Sequence, residues 1–120
     1  MSANFWCWVP FLALSPASPD FLHRVDSLHN APFERPAPQI VEFVHRLTKV
    51  YPDLDASGAE TAWSDGPMLG DANGAFIDFS IRWDYYGKVA SFIVSSGHAS
   101  GLNCYDPQTS QYYPLRPQAP

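Results

Sequence analysis

The residues of this chain that could do chemistry are concentrated in one acidic segment, residues 53–84. This segment has seven carboxylates and one base, an excess of six negative charges, whereas the whole 120-residue chain carries a net charge of −5. Phosphate binding relies on clustered Lys and Arg, and the seven basic residues are scattered, so we expect no nucleic-acid ligand. A basic protein surface is the partner that this charge distribution favours.

Two carboxylates of the acidic segment, Asp65 and Asp71, lie six residues apart in a glycine-rich stretch. Such a pair could perform acid and base catalysis or bind calcium. The spacing fails the calcium-loop pattern, which needs oxygen ligands at nearly every second position and a closing Glu. The alternative is turn chemistry, in which residues 65–67 and 71–74 form side-chain to backbone turns. We expect turns here.

The histidines and cysteines do not form a recognisable reactive or metal-binding motif. The four histidines share no ligand spacing with one another or with a cysteine, which predicts surface or capping roles and no metal or cofactor. They are His23, His29, His45 and His98. Cys104 has no histidine in a partner motif, so a buried inert thiol is expected rather than a nucleophile. Cys7 lies in a similar apolar run; a disulfide between the two cysteines is the minor alternative to reduced core thiols.

Length and composition predict one domain, residues 1–120. Hydrophobic residues make up 46% of the chain and there are twelve prolines, so we expect a packed core with irregular connections. The apolar N-terminus lacks a basic region and is interrupted by Pro10, unlike a signal peptide. No apolar run is long enough for a membrane span. The expected location is the cytoplasm, away from the membrane.

Hydrophobic periodicity predicts the first elements that position the acidic segment. Residues 5–11 alternate with a period of two, which is typical of a strand. Ser18 and Pro19 then predict the start of a short helix that ends before Pro32. From Pro38 apolar residues recur every three to four positions, which predicts an amphipathic helix that Pro52 terminates. Residues 53–74 are predicted to form a long loop.

The second half of the chain predicts a strand, a helix and a hairpin. Residues 75–83 alternate strictly, with apolar side chains up to Trp83 on one face. A helix is expected from about Gly87, with a left-handed cap at Gly101. Residues 102–105 and 111–115 then form two strands. This order predicts an α+β two-layer sandwich: a mainly antiparallel sheet of three to four strands with two main helices on one face, in a ferredoxin-like variant.

Aromatic side chains accompany the carboxylates on the predicted sheet. Trp6, Trp8, Phe76 and Asp78 share one face, and without a covering helix that face would be a binding surface. Tyrosines at positions 85, 86, 105, 112 and 113 would enlarge it. An exposed tyrosine-rich patch beside carboxylates is typical of protein recognition.

Two segments of the chain resemble a known group of proteins. Residues 63–79, WSDGPMLGDANGAFIDF, and residues 101–108, GLNCYDPQ, are similar to small proteobacterial immunity proteins of polymorphic toxin systems, whose genes tend to accompany toxin genes of contact-dependent or type VI secretion systems. The resemblance implies an antitoxin: a cytoplasmic protein that binds a cognate toxin domain and occludes its active site. The toxin would then act on a cytoplasmic target such as nucleic acid or a nucleotide.

Charge and aromatic content select the residues expected to contact such a partner, with the carboxylates imitating phosphates in a basic cleft. They are Trp63, Asp65, Asp71, Asp78, Asp84, Tyr85 and Tyr86. One alternative is a structural or regulatory module that forms a homodimer through Trp6 and Trp8. A second is a small enzyme using Asp65 or Cys104, which would require a convergent polar pocket. We predict a protein that is not an enzyme.

Overall fold

The structure, a computed structural model, describes residues 2–54 and 60–116. In these residues the chain is α+β, with five strands and three α-helices. The strands are β1 (Ser2–Trp8), β2 (Ala72–Asn73), β3 (Phe76–Arg82), β4 (Asn103–Asp106) and β5 (Gln111–Tyr113). The helices are α1 (Phe21–His29), α2 (Pro38–Val50) and α3 (Trp83–Ala99), and 3-10 turns occupy Pro10–Leu12 and Met68–Asp71. None of these helices has both the length and the apolar character that crossing a bilayer would require.

The strands form one sheet in the order β2-β3-β1-β4-β5, and every neighbouring pair is antiparallel. The α+β class and the antiparallel sheet are confirmed, but the sheet has five strands rather than three to four. The ferredoxin-like variant is not confirmed, because two helices separate β1 from β2 and the element order departs from β-α-β-β-α-β.

The main hydrophobic core lies between one face of the sheet and the helices α2 and α3. Phe5 and Cys7 of β1 and alternate residues of β3 project into it, as expected from the period-two pattern. Phe43 of α2 packs against Phe79 of β3, with ring centroids 5.7 Å apart. Ile93 of α3 is fully buried beside them. The two main helices therefore cover the same face, as predicted.

The opposite face of the sheet is partly covered by α1, so the condition for an open aromatic binding surface is not met. Trp8 is fully buried and Phe76 is 2% exposed. Phe21 of α1 lies over the indoles of Trp6 and Trp8, with ring centroids 5.9 and 6.1 Å away, and Val25 of α1 is also buried. The sheet thus lies between two helical layers, because its aromatic residues are too large and apolar to stay in water.

The predicted loop 53–74 contains more structure than its composition suggested, although residues 55–59 lie outside the described part. The Ser64 N–H donates to the Ser80 carbonyl at 3.1 Å, and the Arg82 N–H donates to the Ala62 carbonyl at 2.8 Å. Trp63 forms a bridge with Ile81 of β3. Further along, β2 pairs with the same edge of β3. Residues 62–64 and 72–73 of the segment are therefore fixed to one sheet edge.

Helix α3 begins at Trp83, four residues before the predicted start, and ends as predicted. The alternation of β3 extended the predicted strand to Trp83, whose side chain is instead 52% exposed at the first turn of the helix. At the other end Gly101 has a positive φ of 84°. The Leu102 N–H donates to the Gly97 carbonyl at 2.9 Å and the Gly101 N–H to the His98 carbonyl at 3.1 Å, which is a Schellman cap.

The contact between α3 and β4 gives a first testable prediction. A Cβ added at Gly97 would lie 2.4 Å from the Cys104 Sγ, so the helix approaches the strand only because this position is glycine. We expect Gly97→Ala to lower the free energy of unfolding by about 1–3 kcal/mol, measured by urea denaturation. Adding Cys104→Ala should recover part of this loss, because the two changes share one contact.

Gly87 in the same helix provides the matched control. An added Cβ there meets no atom within 4 Å. Gly87→Ala should therefore raise the free energy of unfolding by about 0.5–1 kcal/mol through helix propensity alone. Equal effects of the two substitutions would contradict the close approach at Gly97.

Candidate functional site

Three of the predicted partner-binding residues, Asp65, Asp71 and Asp78, converge at one edge of the sheet. Asp78 lies on β3 and faces the side that α1 partly covers. Asp71 immediately precedes β2, opposite Asp78 in the antiparallel register. Asp65 follows the segment that pairs with β3 through Ser64. We call Asp65, Asp71 and Asp78 the acidic cluster.

The Asp78 carboxylate is held by two side chains from distant parts of the chain. Its Oδ1 accepts a hydrogen bond from Asn4 Nδ2 at 2.8 Å, and its Oδ2 lies 2.7 Å from His29 Nε2 at the end of α1. Asn4 is fixed in turn by Gln108, whose side chain bonds both its backbone N–H (2.8 Å) and its carbonyl (2.7 Å). The position of Asp78 is therefore set by β1, α1 and the β4–β5 turn together.

The Asp71 carboxyl shows the electrostatic character of the cluster. Its burial, the nearby Asp65 and then Asp78 and Asp53 raise the pKa of Asp71 from 3.8 to about 6. Its Oδ2 is shielded from solvent and accepts no hydrogen bond from the described residues. A hydrogen bond between the Asp71 and Asp65 carboxyl groups needs a shared proton, which is lost above that pKa. At neutral pH the cluster therefore contains mutually repelling charges.

Cationic side chains do not balance this repulsion in the described part of the chain. There, His29 is the salt-bridge partner of Asp78, and Asp65 and Asp71 have no Lys or Arg within salt-bridge distance. Asp53 differs, because its carboxylate accepts hydrogen bonds from the N–H groups of Leu54 (3.0 Å) and Met68 (3.1 Å). Asp65 and Asp71 thus carry negative charge beside the sheet without a Lys or Arg partner among the described residues.

The other predicted contact residues, Asp84, Tyr85 and Tyr86, lie apart from the cluster in the first turn of α3. Asp84 is paired with Arg82 at 3.0 Å, so its charge is compensated. Tyr85 is half-buried, with the Arg82 guanidinium 5.4 Å from its ring centroid. The Tyr86 hydroxyl donates to the buried Asp106 carboxylate. Burial and then Asp106 raise the pKa of Tyr86 to about 12.

Trp63 does not belong to a surface at all. Trp63 is fully buried in the core, with 0% of its surface accessible to solvent. Its Nε1 donates a hydrogen bond to the Tyr51 carbonyl at 2.7 Å. Its ring packs edge-on against Phe79, with centroids 5.9 Å apart. The expectation that Trp63 anchors a partner is therefore corrected: pairing with the edge of β3 turns its side chain inward.

Three residues near these groups were not selected from the sequence. His29 and Asn4 reach Asp78 from 49 and 74 positions away, and no local spacing marks such long-range pairs. Trp83 was placed in the strand, but it is exposed and stacks on Tyr86 with ring centroids 5.4 Å apart. The change from period two to period 3.6 at Arg82 was the signal that could have identified it.

The cysteines match the expectation of reduced core thiols. Cys7 and Cys104 are free, fully buried and directly opposite each other on β1 and β4, with Sγ atoms 3.5 Å apart. Burial and then the neighbouring Cys104 raise the pKa of the Cys7 thiol well above its ordinary value, which makes it a poor nucleophile. In residues 2–54 and 60–116 no group of three His, Cys, Asp or Glu is arranged to hold a metal ion.

No protein-family model, curated protein or solved structure matches this chain.

The raised pKa of Asp71 predicts that replacing this carboxyl group with a neutral one stabilises the protein by an amount that depends on pH. The folded state binds the Asp71 proton more tightly than the unfolded state, so Asp71 lowers stability progressively as pH rises from about 4 to about 6. We expect Asp71→Asn to raise the free energy of unfolding by about 1 kcal/mol at pH 8, a value reduced for solvent screening. The gain should vanish below pH 4, measured by urea denaturation across pH.

Asp26→Asn is the control, because it removes the same charge from the exposed surface of α1. It should change the unfolding free energy much less between pH 4 and 8. If Asp71→Asn gave no more gain at pH 8 than at pH 4, the mutual repulsion within the acidic cluster would be refuted.

Proposed function

We propose that this chain is a cytoplasmic immunity protein whose acidic cluster docks into a basic active-site cleft of a cognate toxin domain. One observation supports the proposal most strongly. Asp65, Asp71 and Asp78 converge on one side of the sheet without a Lys or Arg partner among the described residues. The resemblance of residues 63–79 and 101–108 to immunity proteins supplies the kind of partner.

Binding a cationic surface would relieve the repulsion that the free protein contains. Each carboxylate that gains a Lys or Arg neighbour loses an unfavourable interaction and gains a charge-assisted one. The negative field would also steer a basic partner toward this edge of the sheet and speed association at low salt. The cluster thus contributes to both the rate and the specificity of binding.

The arrangement suits imitation of phosphate groups. Asp78 is fixed by Asn4 and His29, and the segments bearing Asp65 and Asp71 are bonded to β3, so the carboxylates need little reorganisation on binding. A toxin domain that cleaves nucleic acid or modifies a nucleotide binds phosphates through positive charge. Such a cleft would accept a rigid set of carboxylates in place of its substrate.

The first turn of α3 lies close enough to belong to the same interface. Asp78 and Arg82 are four residues apart on one strand, which is about 13 Å. A typical interface covers about 800 Å² on each partner, wide enough to include both sites. Trp83, which is 52% exposed and stacked on Tyr86, is the aromatic anchor in this arrangement, in place of the buried Trp63.

The alternative function, self-association through the sheet, requires an exposed face carrying Trp6 and Trp8. Trp8 is buried beneath α1 and Trp6 is half-buried there, so neither indole is free to pair with a second copy. Replacing either with Ala would disturb the core. A homodimer would need a different surface of the chain.

Coexpression with the product of the adjacent gene tests the proposal. We expect the chain to rescue growth from that product and to copurify with it as a one-to-one complex. Asp65→Asn combined with Asp71→Asn should weaken the complex about 10- to 100-fold at physiological salt, mainly through slower association, measured by surface plasmon resonance. Absence of both toxicity and a complex would refute the proposed function.

The matched control combines Asp26→Asn with Glu42→Gln, which removes the same net charge from exposed helix positions. This variant should keep growth rescue and lose less than about threefold in affinity, since distant surface charges are screened at physiological salt. Equal weakening by both double variants would mean that only the net charge matters, and would overturn the role of the acidic cluster.

A further inference from the structure

An apolar groove lies beside the acidic cluster and is not used by the proposed charge contacts. It encloses about 160 Å³ between the 3-10 turn after β1 and the segment after α1. Its lining is Phe11, Leu12, Leu28, Ala31, Pro32, Glu34, Asn73 and Ala75. This volume is below the roughly 300 Å³ of typical small-molecule pockets, so a single bulky side chain fits better than a small-molecule ligand.

Two phenylalanines project into solvent at this groove. Phe11 on its wall is 74% exposed, and Phe33, within the segment that forms the other wall, is 76% exposed. They are the two most exposed large apolar side chains in the described part of the chain. Large apolar side chains grouped at a groove and rimmed by polar residues are typical of a protein-binding surface.

The backbone on one side of the groove is held firmly. Asn73 of β2 accepts a hydrogen bond from the Glu34 N–H (2.5 Å) and donates to the carbonyls of Ala31 (3.3 Å) and Pro32 (3.2 Å). The Gly74 N–H donates to the Glu34 carbonyl at 3.1 Å. Phe33 therefore sits on a segment that is fixed to the sheet although its side chain is in water.

The other wall is held in the same way. The Val9 N–H donates to the Ala75 carbonyl at 2.9 Å, and Arg24 of α1 donates to the carbonyls of Leu12 (3.2 Å) and Ala13 (3.1 Å). Phe11 lies between these anchors. Both phenylalanines are thus presented on ordered backbone, which lowers the entropic cost of contacting a partner.

Asn73 also connects the groove to the acidic cluster. It lies two residues after Asp71, which is about 7 Å along an extended chain. The Glu34 carboxylate also lines the groove, beside the backbone of Gly74 that follows Asn73. An apolar side chain entering the groove would therefore have negative charge on the side of β2, and charge complementarity selects a neighbour on that side that is Lys or Arg.

We propose that this groove binds a bulky aliphatic or aromatic side chain of the partner protein that is flanked by Lys or Arg. The proposal rests on the proposed function for the biological partner, but the chemistry of recognition follows from the groove itself. Phe11 and Phe33 pack against the apolar side chain, while Glu34 and Asp71 attract the flanking cations.

The first test uses pentapeptide probes and amide chemical shifts of the ¹⁵N-labelled protein. We expect Ac-Lys-Lys-Trp-Lys-Lys-NH₂ to shift the amides of residues 11–12, 31–34 and 73. Replacing the central Trp with Ala, or all four Lys with Glu, should weaken binding at least about tenfold, because each change removes one of the two features. Shifts elsewhere, or equal binding of all three peptides, would overturn the proposal.

Phe11→Ser combined with Phe33→Ser removes the two exposed phenylalanines at the groove, so the fold should be kept. This variant should bind the Trp peptide at least about tenfold more weakly, whereas Val50→Ser, a change at an exposed apolar residue of α2, should not affect it. A concentration-dependent dimer abolished by the double Phe variant would assign the groove to a second copy and overturn the proposal.

The outcomes separate this inference from the proposed function. If the toxin complex forms and keeps its affinity in the double Phe variant, the groove proposal fails while the immunity function stands. If the Trp peptide binds as expected but coexpression gives neither rescue nor a complex, the groove is a recognition site and the immunity function fails.

Discussion

The structure depends on the burial of both faces of β1. Phe5 and Cys7 enter the core beneath α2 and α3, whereas Trp6 and Trp8 enter the smaller aromatic core beneath α1. Strand β1 lies between β3 and β4 at the centre of the sheet. If one of its faces were polar, the helices on that side would lack an apolar surface to pack against. Because both faces of the sheet are buried at its centre, the carboxylates of the acidic cluster lie at the edge of the sheet, on and beyond β3.

The chemistry of the molecule follows from this arrangement. Residues 62–64 and β2 pair with the outer edge of β3 and bring Asp65 and Asp71 beside Asp78. Asp78 is held in place by Asn4 and His29 despite the resulting repulsion, and burial together with the neighbouring carboxylates raises the Asp71 pKa to about 6. An electrostatic strain of this kind, fixed on regular structure, is commonly associated with a binding site.

Local patterns in the sequence predicted the parts of the fold that depend on local physics. The periodicity from Pro38 to Val50 identified α2, and Gly101 identified the cap of α3. Contacts between distant segments were not predictable in this way. The cover of α1 over Trp8 and the pairing of His29 with Asp78 depend on tertiary packing. Trp63 was misplaced for the same reason, since its bridge to β3 decides which way it points.

The proposed function rests on contact between a partner protein and the acidic cluster at the edge of the sheet. Amide hydrogen exchange on the complex with the product of the adjacent gene tests it most directly. Slower exchange on binding is expected in residues 64–73, in β3 around Asp78, in the first turn of α3 and in residues 31–34, with no change in α2. Protection confined to α2 and to the part of α3 beyond its first turn would contradict contact at the acidic cluster, because those helices cover the other face of the sheet.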